Sequence, residues 1–126
     1  MTLQLCRFSL AFIWIYQGIV PKWLGPHEDE LAMNQVLGAS HKQAMWIAYG
    51  GGALEVLLGL AILVWWRRRW PYQLSAAGIG VLSLFVFLLA PQYLLAAFNA
   101  ATVNVAILAL SVIALVELLR GSLKRP

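Results

Sequence analysis

The sequence predicts an all-α integral membrane protein, a four-transmembrane-helix bundle with a short outer amphipathic segment. Three observations predict it. Of the 126 residues, 62% are hydrophobic and only 11% are charged, against about a quarter charged in an ordinary soluble domain. A chain this small leaves much of its surface exposed, so so much apolar surface has no place in water, and the mean hydropathy of +0.79 agrees. The apolar residues also gather into four blocks, each near the 20 or so residues that a helix needs to cross hydrocarbon. The basic residues, finally, form short clusters between those blocks. The net charge of +4 therefore points to a lipid bilayer with anionic headgroups and not to nucleic acid. The length fits one domain, residues 1–126.

Span one is expected at about 3–24, interrupted by Arg7, Gln17 and Lys22. A secretory signal would need a basic lead and a small-residue cleavage site; Pro21 and Lys22 stand where that site would fall, so the block reads as a retained span. The outer segment 25–43 has soluble character. Asp29 is expected to cap a short helix there, with Leu31, Met33, Val36 and Leu37 resting on the bundle or on lipid. Span two, about 44–66, carries one charge, Glu55, and ends at Arg67, Arg68 and Arg69. Span three, about 73–90, is uncharged and bracketed by Pro71 and Pro91, which a helix interior would not tolerate. An uncharged loop, 91–101, is expected to tuck against the bundle mouth. Span four, about 102–119, carries Asn104 and Glu117.

Orientation follows from Lys and Arg. Arg7, the Arg67–Arg69 turn, Arg120, Lys124 and Arg125 put seven of the nine basic residues on one side. Lys22 and Lys42 lie on the other with Glu28, Asp29 and Glu30. The bias predicts N- and C-termini in the cytoplasm, and the expected place is the cytoplasmic (inner) membrane. Cys6 is the single cysteine, so the chain forms no internal disulfide or dithiol, and Cys6 reads as a small packing residue.

Glu55 is the first residue that asks for an explanation. A carboxylate near mid-membrane costs several kcal/mol unless it is paired, hydrogen-bonded or protonated, and defaults to a functional reading. Ala48, Gly52, Glu55 and Gly59 share a helix face whose small residues admit a neighbour closely, which places Glu55 inside the bundle. At about 1.5 Å per residue Glu55 lies roughly 16 Å from the inner end of its helix, with Trp14, Gln17, Ser83 and Asn104 within about one turn of that level. A polar layer of Glu55, Gln17 and Asn104 with Trp14 as a flat wall is one reading. A paired carboxyl and plain interhelical hydrogen bonds that lock packing are the other.

Arg7 has three options: Glu117 across the bundle, a reach toward Glu55, or neither, with Glu117 satisfied by Arg120 three residues on. Lys22 is within reach of Glu28 or a lipid phosphate and is expected to snorkel to the headgroups. His27, Glu28, Asp29, Glu30 and His41 match no ligand spacing, so no metal site is expected. No nucleophile motif accompanies the serines, and Gly50–Gly52, inside a span, reads as helix packing. Gly-rich faces on spans two and three would suit a homodimer as well as a compact monomer.

The run from Arg7 through Trp14, Tyr16, Gln17 and Gly18 to Lys22, then Gly52-Ala-Leu-Glu55 followed by Gly59, and Phe98-Asn99 ahead of Asn104, resembles the DoxX-like membrane proteins. The resemblance implies four spans and carries over Arg7, Trp14, Tyr16, Gln17, Gly18, Lys22, Glu55, Asn99 and Asn104. It departs in the second outer loop, where Ala100 and Val103 replace a Pro and a Lys frequent in relatives. The family's namesake belongs to a membrane system that passes electrons from sulfur compounds to quinone. The resemblance therefore implies an accessory subunit that works with redox partner proteins and binds quinone or another lipophilic small molecule. Glu55, Gln17, Trp14, Tyr16, Asn104, Arg7, Lys22 and Asn99 are the ligand-binding candidates. No haem-ligand pair, flavin motif or cysteine cluster is present, so the chain has no intrinsic cofactor and is at most a subunit of an oxidoreductase complex. The alternatives are a non-catalytic scaffold, or a proton or small-solute pathway. A relay usually needs a chain of deep acids, and here only Glu55 lies deep.

Overall fold

The computed structural model describes residues 1–95 and 99–123, all-helical apart from short connections. Phe98 of the motif and Lys124 and Arg125 of the basic tail lie outside the described residues. Helix α1 (Thr2–Gly18) continues through a π-helical turn, Ile19–Trp23, and is followed by α2 (Glu28–Gln35), α3 (His41–Val64), α4 (Trp70–Leu89), a 3₁₀ turn (Pro91–Leu94) and α5 (Ala100–Leu123). Four stretches are long and apolar enough to cross a membrane: Thr2–Trp23, His41–Val64, Trp70–Leu89 and Ala101–Gly121. The end that carries α2 is called the outer end, and the end that carries the Arg67–Arg69 turn the inner end.

Local chemistry explains where the helices start. Ser40 and Gln43 form a reciprocal capping box, so α3 begins three residues ahead of the expected 44. Pro71 is not outside span three but in the first turn of α4, where its missing N–H costs nothing. The cap of α2 is His27 and not Asp29: His27 Nδ1 accepts from the Asp29 amide at 3.4 Å. Glu28, Asp29 and Glu30 all fall in the first turn, facing the positive end of the helix. Leu31 and Met33 are half-buried, whereas Val36 and Leu37 lie beyond the helix end and are exposed.

Helices α1 and α3 run antiparallel and pack most closely; α1 also lies against α5, and α4 against α5. Of the helix pairs around the bundle, α3 and α4 touch least. The small-residue face expected on span two makes the α1–α3 seam. A Cβ on Gly52 would come within 2.7 Å of the Gly18 carbonyl oxygen, and one on Gly59 within 2.6 Å of Ile15 Cγ1. Such approach is what glycine permits in a bilayer, where packing and not the hydrophobic effect holds helices together. Gly50 and Gly51 face open space, so of the glycine triplet only Gly52 serves the seam.

The core beside it holds Cys6, Leu10, Ala11, Trp14, Ile62, Tyr72, Ile79, Ile107 and Ala114. One polar chain crosses it. Trp14 Nε1 donates to Ser75 Oγ at 2.8 Å, the Ser75 and Ser111 hydroxyls are joined at 2.9 Å, and Ser111 Oγ donates to the Ile107 carbonyl at 2.8 Å. Helices α1, α4 and α5 are thus linked by three neutral side chains, all buried.

Candidate functional site

The site is built on the antiparallel geometry of α1 and α3. Every helical Cα–Cβ bond tilts toward its own N-terminus. Lys22, beyond the outer end of α1, therefore leans inward, and Glu55 on α3 leans outward. They meet: Lys22 Nζ donates to Glu55 Oε1 at 2.6 Å, and Glu30 Oε1 of α2 stands 3.6 Å from the same ammonium. The side chains of Lys22 and Glu55 are each 12% exposed. The expected snorkelling of Lys22 to the headgroups is thus corrected; its charge turns into the bundle because a buried carboxylate awaits it there.

The π turn that carries Lys22 has local causes. Pro21 has no amide hydrogen to donate to the preceding turn, and the Leu24 amide bonds the Ile19 carbonyl, five residues back, at 3.0 Å. A π turn interrupts the regular register of the helix and is often found at functional sites. Trp23 pins it to α3 by donating Nε1 to the Tyr49 carbonyl at 3.0 Å. Gly52 makes room for that indole, since a Cβ there would lie 2.9 Å from Trp23 Nε1.

Beneath the ion pair lies a cavity of about 150 Å³ to which all five helices contribute. Trp14, Gln17 and Lys22 line it from α1 and its π turn, Glu55 from α3 and Asn104 from α5. Glu30, Met33 and Asn34 of α2 close its outer side, and Ile79, Leu82, Phe85 and Val86 of α4 form an apolar wall. Asn34 fastens α2 in place by donating Nδ2 to the Ala44 carbonyl at 3.2 Å. The cavity therefore collects the carboxylate, the two amides and the tryptophan wall of the expected polar layer.

The hydrogen bonds within that layer differ from a Glu–Gln–Asn cluster. Asn104 Nδ2 donates to Ser83 Oγ at 3.1 Å, and Ser83 Oγ donates to the Ile79 carbonyl at 2.7 Å. Among the described residues, no hydrogen bond joins Gln17 or Asn104 to Glu55. Glu55 Oε2 is buried with no hydrogen-bond partner among them, so the ion pair uses only one of the two carboxylate oxygens.

Three candidates lie elsewhere. Tyr16 is half-exposed on the outer surface of α1, with its ring 5.8 Å from that of Phe12. Asn99 caps α5, its Oδ1 accepting from the Thr102 amide at 3.1 Å. It lines a neighbouring cavity that shares Gln17 and Glu30 with the first. Arg7 is at the inner end. Its Nη2 donates to the Leu63 carbonyl at 2.6 Å and its Nη1 to Gln4 Oε1 at 3.3 Å. Of the three options open to it, neither carboxylate is taken, and Glu117 faces Arg120 at 3.6 Å. Among the described residues, no group of three or more His, Cys, Asp or Glu could hold a metal ion.

The sequence alone does not place Glu30, Met33 and Asn34 at the site, which they reach only because α2 folds back over the cavity, nor Ser75, which orients the Trp14 wall. The arrangement is a small void with an aromatic wall, amides and a half-used ion pair. It is mostly apolar with a few converging polar groups, as small-molecule sites generally are. No curated protein and no solved structure matched the chain. The model of the DoxX-like family matches residues 11–112, from the middle of α1 well into α5, and the chain belongs to that family.

Proposed function

We propose that the chain binds the headgroup of a small lipophilic molecule, with quinone as the leading example, in the cavity beneath α2, and serves as an accessory subunit of a membrane redox system. The single observation that supports this most is the meeting of Trp14, Gln17, Lys22, Glu55 and Asn104 around one void. Its volume suits a single six-membered ring: a cavity of about 150 Å³ is the size that accepts benzene. A longer apolar tail would have to leave between helices, and the α3–α4 contact is the loosest. Trp14 offers a flat apolar wall held still by Ser75, while the Gln17 amide and the Lys22 ammonium offer donors for ring oxygens. Glu55 Oε2, without a hydrogen-bond partner among the described residues, offers an acceptor for a ring hydroxyl. A quinone bound there would supply the two-electron chemistry; the chain's own residues bind and orient, and redox partner proteins deliver the electrons. The arginines at the inner end favour the cytoplasmic membrane with that end in the cytoplasm.

Photolabelling in lipid nanodiscs with an azido-quinone tests the reading. Label is expected on peptides that contain Trp14–Gln17 and Asn104, and should fall several-fold in Gln17→Ala and in Glu55→Gln. Labelling unchanged in both variants overturns the site. A second reading, a scaffold in which Lys22–Glu55 only locks packing, is favoured by the 2.6 Å contact. It predicts that Glu55→Gln lowers thermal stability and leaves labelling as it was.

A further inference from the structure

The inner end of the bundle has a second cavity, of about 370 Å³, that the quinone reading does not use. Arg67 and Arg69 of the turn between α3 and α4 line it, together with Trp66, Leu3 of α1, and Glu117 and Leu118 of α5. Two guanidinium groups lie over the Trp66 ring, Arg67 at 4.6 Å and Arg7 at 5.2 Å from its centroid. Stacking on an indole costs a guanidinium none of its N–H donors, so Arg67 is held in place with its hydrogen-bonding edge available. Glu117, the one carboxylate on the lining among the described residues, faces Arg120 at 3.6 Å, which offsets its charge. The lining is thus basic where the turn covers it and apolar at Leu3 and Leu118, and it lies at the helix ends where lipid phosphates sit.

We infer that this cavity binds the phosphodiester headgroup of an anionic phospholipid, with Arg67 and Arg69 on the phosphate and the acyl chains leaving along Leu3 and Leu118. Planar guanidinium forks match phosphate oxygens in pairs, and basic pockets at the ends of membrane helices suit such headgroups. The apolar side chains favour a lipid over a free phosphate ion, which would find no use for them. Arg68 is the internal control. It sits in the same turn, is exposed, and does not line the cavity, so it matches Arg67 in charge but not in place.

Native mass spectrometry of the full chain, released from neutral detergent with added phosphatidylglycerol, decides the matter. The wild type should keep one phosphatidylglycerol at collision energies that strip phosphatidylcholine. Arg67→Gln should weaken that retention about fivefold, the effect of one basic residue near a lipid surface, with Arg67→Lys in between and Arg68→Gln unchanged. The charge-state envelope of the bare chain reports whether each variant remains folded. Equal losses in Arg67→Gln and Arg68→Gln, or no preferential retention by the wild type, overturn the site. Displacement of the lipid by an equimolar amount of inorganic phosphate also overturns it, in favour of a free-anion site.

Discussion

Two polar clusters cross the apolar bundle, and they are built on opposite terms. The Trp14–Ser75–Ser111 chain is neutral and buried: Ser75 Oγ accepts from Trp14 Nε1 and is joined to the Ser111 hydroxyl, which also reaches the Ile107 carbonyl. The Lys22–Glu55–Glu30 group is charged and partly open, and it leaves one buried carboxylate oxygen without a hydrogen-bond partner among the described residues. A satisfied neutral chain has nothing left to offer a ligand; its worth is in fixing three helices and one indole. A charged group with spare capacity beside a void is where recognition can occur. The two meet at Trp14, which belongs to the chain by its N–H and to the cavity by its ring.

Breaking the ion pair should have the largest effect. Removing one partner strands the other charge, which typically costs about 3–5 kcal/mol. Lys22→Met and Glu55→Met are each expected to lose stability of that order, by reversible unfolding in mixed micelles. The double variant should recover part of the loss, because of the three charges in the group only Glu30 of α2 is left without its cation. Single variants as stable as the wild type would show that the pair is uncoupled from folding. Next in size is the seam that lets the pair form. Gly52→Ala forces a methyl to 2.7 Å from the Gly18 carbonyl, and overpacking of this kind costs about 1–3 kcal/mol. Gly50→Ala, with nothing within 4 Å, should be neutral or gain up to about 1 kcal/mol of helix propensity. Equal effects at the two glycines would argue against close contact between α1 and α3.

Much of this was legible from residue types alone. A charge within an apolar block stands out, so Glu55 is found, and small residues at three- and four-residue steps mark the face of α3 that a neighbour approaches, though not that the neighbour is α1. Lys22 was misread because snorkelling assumes that the nearest polar place is the headgroup layer. Backbone tilt in antiparallel neighbours was the available signal for its inward turn. Tyr16 could also have been placed: Trp14 and Gln17 are three apart and share a face, and Tyr16, between them, points elsewhere. The α2 side chains were not legible, since only the tertiary fold brings Glu30 and Asn34 over the cavity. Nor were Ser75 and Ser111, because serine in an apolar helix usually bonds its own preceding turn.

That habit of serine separates the last two expectations and orders them within the neutral chain. Ser75→Ala removes the hydroxyl that accepts from Trp14 Nε1 at 2.8 Å. The indole is almost wholly buried, so its N–H is left without a partner, at a cost of about 1–3 kcal/mol. Ser111→Ala is milder. Ser111 Oγ has one proton and two acceptors in reach, Ser75 Oγ and the Ile107 carbonyl. Once Ser111 is gone, the Ser75 hydroxyl can turn its proton to its own preceding helical turn and go on accepting from Trp14. The loss should stay near the 0.5–1.5 kcal/mol or so of an ordinary hydrogen bond. Tryptophan fluorescence adds little, because six indoles overlap; unfolding free energies of the two variants make the comparison. Should Ser111→Ala cost as much as Ser75→Ala, the chain acts as one cooperative unit and the Trp14 wall depends on its far end.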